Sequence, residues 1–211
     1  MATSPHGEAI PLPRRTLPIV TLADLGIDLY RCHRLDSGRD PGAFNHALIP
    51  DRFNAPKGEY GVLYLAADPF AAFIESFGSS MVTAEPGLRT VSERDLGRRC
   101  LCRFTLTADP GSISLVNLAD GHGLSRLGID GRIGTTKRRD ITRQWALALW
   151  SHPEQPAGLL FRACNDPARL AIVVFDRIGD VLESGCEDNV FRDPYRLAAI
   201  LEHYSVGLDP D

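Results

Sequence analysis

No run of apolar residues in this chain of 211 approaches the roughly 20 needed to cross a bilayer. The first residues carry no long apolar core of a secretion signal. The histidines (six) are scattered and none sits at ligand spacing from another, and no C-x-x-C occurs, so no metal is expected. There is no G-x-x-x-x-G-K-S/T, H-E-x-x-H, G-x-S-x-G or D-x-D-x-D-G. P-loop phosphate binding, zinc proteolysis, the hydrolase nucleophile turn and an EF-hand therefore have no sequence support. Positive charge is not in excess either. A formal net charge of -4 argues against a nucleic-acid grip.

The cysteines are five, an odd number: Cys32, Cys100, Cys102, Cys164 and Cys186. Cys100 and Cys102 have the spacing of one strand face, not of a metal knuckle. All five read as reduced, mostly buried thiols, which places the protein in the cytoplasm. An apolar fraction of 44% and a charged fraction of 24% are those of one globular domain. Residues 1–20 read as a flexible extension and 21–211 as the domain.

The most informative stretch is Arg52 to Glu75. Arg52 to Tyr60 is a basic loop broken by Pro56 and Gly58. Val62 to Ala66 is an apolar run of strand length centred on Tyr64. Asp68 is a helix N-cap with Pro69 in the first helical position. Glu75 then stands on an otherwise apolar helix, and a carboxylate in that setting is paired or used.

Elsewhere, 28–34 is a strand that places Arg31 near the core, and 35–60 is a loop long enough to suggest function. Further strands are read at 89–91, 101–106, 112–118, 158–163, 170–175 and 180–184. Helices are read near 22–25, 119–127, 140–150 and 194–204. Lys137-Arg138-Arg139 reads as a solvated helix start. Gly121-His-Gly-Leu-Ser-Arg-Leu-Gly128 fails the dinucleotide-turn spacing. Several strands follow one another without a helix between them. That predicts an α+β domain with a mixed, mostly antiparallel sheet and packed helices. The arginines, Tyr64 and Glu75 would suit a pyrophosphate-bridged nucleotide whose glycosidic bond is broken.

In order along the chain stand Leu29-Tyr30-Arg31, then Arg52-Phe53-Asn54-Ala55-Pro56 with Gly61-Val62-Leu63-Tyr64-Leu65-Ala66, then Ala71-Ala72-Phe73-Ile74-Glu75. Gln144-Trp145-Ala146 follows, and Gly158-Leu159-Leu160-Phe161-Arg162-Ala163-Cys164-Asn165-Asp166-Pro167 closes the series. This order resembles the RES-domain family, toxins of bacterial toxin–antitoxin modules named for an arginine, a glutamate and a serine. The resemblance covers about residues 28–205. It implies an ADP-ribosyltransferase-like fold and NAD as substrate, with no metal. It implies NAD cleavage by phosphorolysis or hydrolysis at the nicotinamide–ribose bond, or ADP-ribosyl transfer to protein. It also implies a helix-turn-helix antitoxin partner and no direct contact with nucleic acid or membrane.

Carried over by position, Arg31 and Arg52 hold phosphates or ribose, Tyr64 packs against the nucleotide and Glu75 acts at the nicotinamide ribose. Ala163 stands where the family has its serine, and three readings of it stay open. It is a natural variant of weaker or altered activity, an engineered inactive form, or a serine position displaced by one residue. Cys164 is expected on the opposite strand face, away from the site.

Overall fold

Leu170–Phe175 is apolar at every position, so as a strand it must bury both faces. It does so. Ala171, Val173 and Phe175 pack into one hydrophobic cluster and Ile172 and Val174 into another, the period of two expected for a strand between two layers. We obtained this architecture from a computed structural model, which describes residues 16–48, 51–82, 89–186 and 193–210.

In chain order the strands are β1 (Ile19–Thr21), β2 (Leu29–Arg34), β3 (Val62–Ala66), β4 (Thr90–Ser92), β5 (Arg99–Leu106), β6 (Ser114–Asn117), β7 (Gly158–Arg162), β8 (Leu170–Phe175), β9 (Leu182–Cys186) and β10 (Gly207–Asp209). The helices are α1 (Leu22–Leu25), α2 (Pro69–Val82), α3 (Glu93–Gly97), α4 (Gly121–Leu127), α5 (Arg139–Trp150) and α6 (Pro194–Tyr204). The main sheet runs β1-β6-β7-β8-β3-β2-β5-β9, and β10 pairs with β4 apart from it. Within the main sheet only β6 and β7 are parallel. This is the α+β domain with a mixed, mostly antiparallel sheet that the sequence predicts.

The caps follow local chemistry. Thr21 and Asp24 form a reciprocal capping box on α1, and Gly26 ends it in the left-handed region. Asp68 caps α2 by accepting the Ala71 N–H at 2.9 Å. In α4 a Cβ on Gly123 would collide with the Asn117 carbonyl. That close approach to β6 requires the glycine at 123, and Gly128 ends the helix in the left-handed region.

Three departures from the sequence reading stand out. Residues 1–15 of the expected extension lie outside the described residues, but the expectation fails for residues 16–20. Leu17 is buried and β1 pairs with β6, so this segment belongs to the domain. β1 and β10 are three residues long, too short to show a period. The cysteines are not all reduced, since Cys102 and Cys186 form a disulfide between β5 and β9. The two stand directly opposite each other across that ladder, a register that spacing alone does not reveal.

One irregularity positions the site. β2 and β3 are neighbours joined through a single pair, Tyr30↔Ala66. Where β2 would continue along β3, Asn45 of the long loop takes over and exchanges two backbone hydrogen bonds with Val62. The sheet therefore parts between the two strands.

Candidate active site

The parting of β2 from β3 opens a cleft of about 340 Å³. Its walls include Arg31 from β2, Tyr64 from β3, Glu75 and Ser76 from α2, and Arg52, Arg139 and Cys164 from elsewhere in the chain. Arg31, Arg52, Tyr64 and Glu75, singled out from sequence, thus share one cavity. Ala163 does not. It is fully buried among Phe73, Ile74, Phe77 and Ile200, in the apolar layer between α2 and α6. Its neighbour Cys164 faces the cleft instead, and the Cys164 N–H donates to Glu75 Oε1 at 2.8 Å. The expectation that Cys164 points away is therefore corrected. β7 ends at Arg162, so strand alternation no longer fixes the next two side chains.

The loop bearing Arg52 is tied down from several sides. The Tyr64 hydroxyl accepts from the Phe53 N–H at 2.8 Å and donates to Asn54 Oδ1 at 3.0 Å. The Tyr60 hydroxyl donates to the Phe53 carbonyl at 3.0 Å. Arg143 on α5 donates to the carbonyls of Asn54, Ala55 and Pro56. Carbonyls held this way cannot relax, so the guanidinium of Arg52 is carried on a rigid base.

Arg52 is 7% exposed and donates to the carbonyls of Ile133 and Thr136. Arg31 donates to the Pro41 carbonyl at 2.9 Å. Arg139 donates to the Thr136 carbonyl at 3.0 Å. Among the described residues, none of these three arginines has a carboxylate within 4.0 Å. Burial lowers the pKa of Arg31 and Arg52, and the neighbouring Arg139 charge lowers that of Arg52 further. Half-desolvated guanidinium groups of this kind are chemically suited to an anion, whose charge would offset the repulsion between Arg52 and Arg139.

Glu75 is the acidic counterpart. Its side chain reaches the solvent inside the cleft, yet protein surrounds it on several sides. That burial raises its pKa, opposed by the Cys164 N–H and by the charges of Arg52 and Arg139. The carboxylate is thus held by one backbone donor and aimed into the cavity.

Sequence reading missed Arg139, Cys164, Ser76 and Ser79 as cleft residues. Ser79 is one helical turn beyond Glu75, which was the available signal for it. Arg139 carried none, since a basic helix start reads alike whether it faces solvent or a cavity.

A family model described as the RES domain matches residues 28–196. Among solved structures, a chain of the M. tuberculosis MbcT–MbcA toxin–antitoxin complex aligns with a TM-score of 0.57. The two share 15% identity over 81% of this chain and 89% of that one, which is a likeness of fold. No curated protein matches the sequence. No helix among the described residues is long and apolar enough to cross a membrane.

Proposed function

Since the chain belongs to the RES-domain family, we propose that it is the toxin of a toxin–antitoxin pair and that it consumes NAD by cleaving the nicotinamide–ribose bond. The observation that carries this reading is the shared cleft, in which three guanidinium groups, without ion-pair partners among the described residues, converge with one carboxylate. An elongated substrate with a diphosphate at its middle and a cationic leaving group at one end suits that pairing of charges.

The steps follow from the chemistry. Arg31, Arg52 and Arg139 bind the diphosphate and its flanking ribose through charge-assisted hydrogen bonds. The ring of Tyr64 packs on the nucleotide while its hydroxyl keeps the Phe53–Asn54 loop in place. The C1′–N bond breaks and its electron pair passes to the nicotinamide ring nitrogen, which becomes neutral. Positive charge grows on the ribose, and the Glu75 carboxylate stabilises it. An oxygen of water then bonds to C1′ and passes its surplus proton to solvent, or an unprotonated oxygen of phosphate bonds there directly. The Cys164 N–H fixes the direction of the Glu75 carboxylate throughout.

Chromatography of NAD after incubation with the protein, with and without phosphate, tests this. Free nicotinamide together with ADP-ribose, or with its 1″-phosphate, is the expected result. Intact NAD sinks the reading, and label transferred to protein replaces it with ADP-ribosylation. A partner of antitoxin type is part of the proposal, supported by the fold shared with a chain of a toxin–antitoxin complex. A helix-turn-helix protein encoded beside this chain should copurify with it and stop the reaction.

Two substitutions separate the roles. Arg139→Ala removes one charge-assisted contact worth about 1.5–3 kcal/mol. It should raise KM for NAD by about 10–100-fold and change kcat less; a KM within threefold of wild type removes Arg139 from the substrate contacts. Ala163→Ser tests whether the missing family serine limits activity. The side chain is buried among apolar groups, so the hydroxyl should cost about 1 kcal/mol of stability and leave NAD cleavage no faster. A clear gain in kcat would show that the position reaches the substrate after all.

A further inference from the structure

Three sulfur atoms meet at the edge of the sheet far from any role in the cleft. Cys100 and Cys102 leave the same face of β5 because they are two residues apart. β9 is the edge strand and sets Cys186 opposite Cys102. The Leu35 N–H bonds to the Arg98 carbonyl, and the Thr107 N–H bonds to the Val181 carbonyl. Counting along the two ladders, the backbone bonds of Cys102 point to β2, so Cys102↔Cys186 is a non-hydrogen-bonded pair. Opposed side chains approach most closely at such pairs.

A staple between β5 and β9 needs only two of these cysteines. The third is the informative one. Cys100 is buried, its Sγ lies 3.5 Å from Cys102 Sγ, and the thiol donates to the His33 carbonyl at 3.7 Å. All three Sγ atoms lie within 4.8 Å of one another. Cys186 is the exposed member, so the cluster is shielded by the sheet on one side and open to water on the other. A soft cation at such a spot takes three sulfur ligands from protein and a fourth from solvent.

We propose that Cys100, Cys102 and Cys186 form a redox-gated Zn²⁺ site, holding the ion as three thiolates when reduced and releasing it when Cys102 and Cys186 join. On binding, three thiols lose three protons and the ion accepts three sulfur ligands. On oxidation, a low-molecular-weight disulfide takes two electrons from the thiolates and two protons from water and leaves as two thiols. The Cys102–Cys186 bond forms, the cation departs and Cys100 regains a proton. The register of the strands thus builds a switch with two states, one covalent and one coordinate. It is independent of what the cleft binds.

The full chain, reduced by a phosphine without oxygen, should hold about one Zn²⁺ after dialysis. It should give the near-ultraviolet thiolate charge-transfer band when Co²⁺ replaces zinc. Glutathione disulfide should lower the zinc content more than tenfold and yield the Cys102–Cys186 peptide pair by mass spectrometry. Cys102→Ser and Cys186→Ser should both lose the ion, and Cys32→Ser, outside the cluster, should keep it. Cys186 is exposed, so its variant is the safeguard should Cys102→Ser fold poorly. Zinc content equal to that of Cys186→Ser in the reduced wild type overturns the proposal. Zinc that survives oxidation unchanged also overturns it.

Discussion

Glu75→Gln is expected to slow NAD cleavage by at least about 10²–10³-fold, the scale on which one well-aimed electrostatic stabiliser acts. Gln keeps the size and one acceptor oxygen for the Cys164 N–H, so the cleft should stay intact and NAD should still bind. A variant that loses less than tenfold would show that the charge of Glu75 is not what drives bond breaking. The same substitution should act on stability with the opposite sign. Burial raises the pKa of Glu75 above the 4.5 of the free side chain. The folded protein therefore holds this proton more tightly than the unfolded one, and ionisation lowers stability as pH climbs through the folded-state pKa. Gln removes that penalty at pH 7, and at pH 4, where the carboxyl is largely protonated in both states, little is gained. Melting curves should place Glu75→Gln above wild type at pH 7, with the gap closing in acid. In the wild type, kcat/KM should fall on the acid side along a limb displaced above the ordinary glutamate value.

The second large effect concerns the fold. Gly158 opens β7, in the middle of the sheet between β6 and β8. A Cβ there would run into the Val173 carbonyl and come within 2.9 Å of Val174 Cα. Both obstacles are backbone atoms of a buried strand and cannot swing aside. Gly158→Ala should therefore cost about 3 kcal/mol or more, lowering Tm by about 6–12 °C for a domain of this size. Gly121→Ala is the matched control. It sits on α4 with nothing within 4 Å of the added atom, so it should be neutral or stabilising. Equal Tm for Gly158→Ala and wild type would mean that β7 and β8 do not approach as described.

How far the sequence alone carries depends on whether a residue's setting is local. β8 was legible because six consecutive apolar residues leave a strand no exposed face. α5 was legible from its period, and α1 and α2 from their caps. Tyr64 and Glu75 could be singled out because each is polar in a strand or helix that is otherwise apolar, and Arg31 because its strand places it near the core, whereas Arg52, in a loop, was picked out by the family resemblance. Arg139 could not, since its basic neighbours Lys137 and Arg138 are exposed and nothing in their order marks the one that turns inward. Ala163 and Cys164 were assigned to the wrong sides because the strand rule stops at Arg162. The disulfide depended on the register of β5 against β9, which joins residues 84 apart in sequence. Each miss thus lies where tertiary pairing, and no local period, sets the direction of a side chain.

The order in which the chain leaves the ribosome now acquires a meaning. β3 holds its place through β8, more than a hundred positions later, and the last cleft-lining side chain to be synthesised is Ala171. On the function proposed above, a growing polypeptide cannot act on its substrate until most of its length has emerged, because the floor of the cavity is not yet built. The proposed antitoxin partner has that interval in which to arrive.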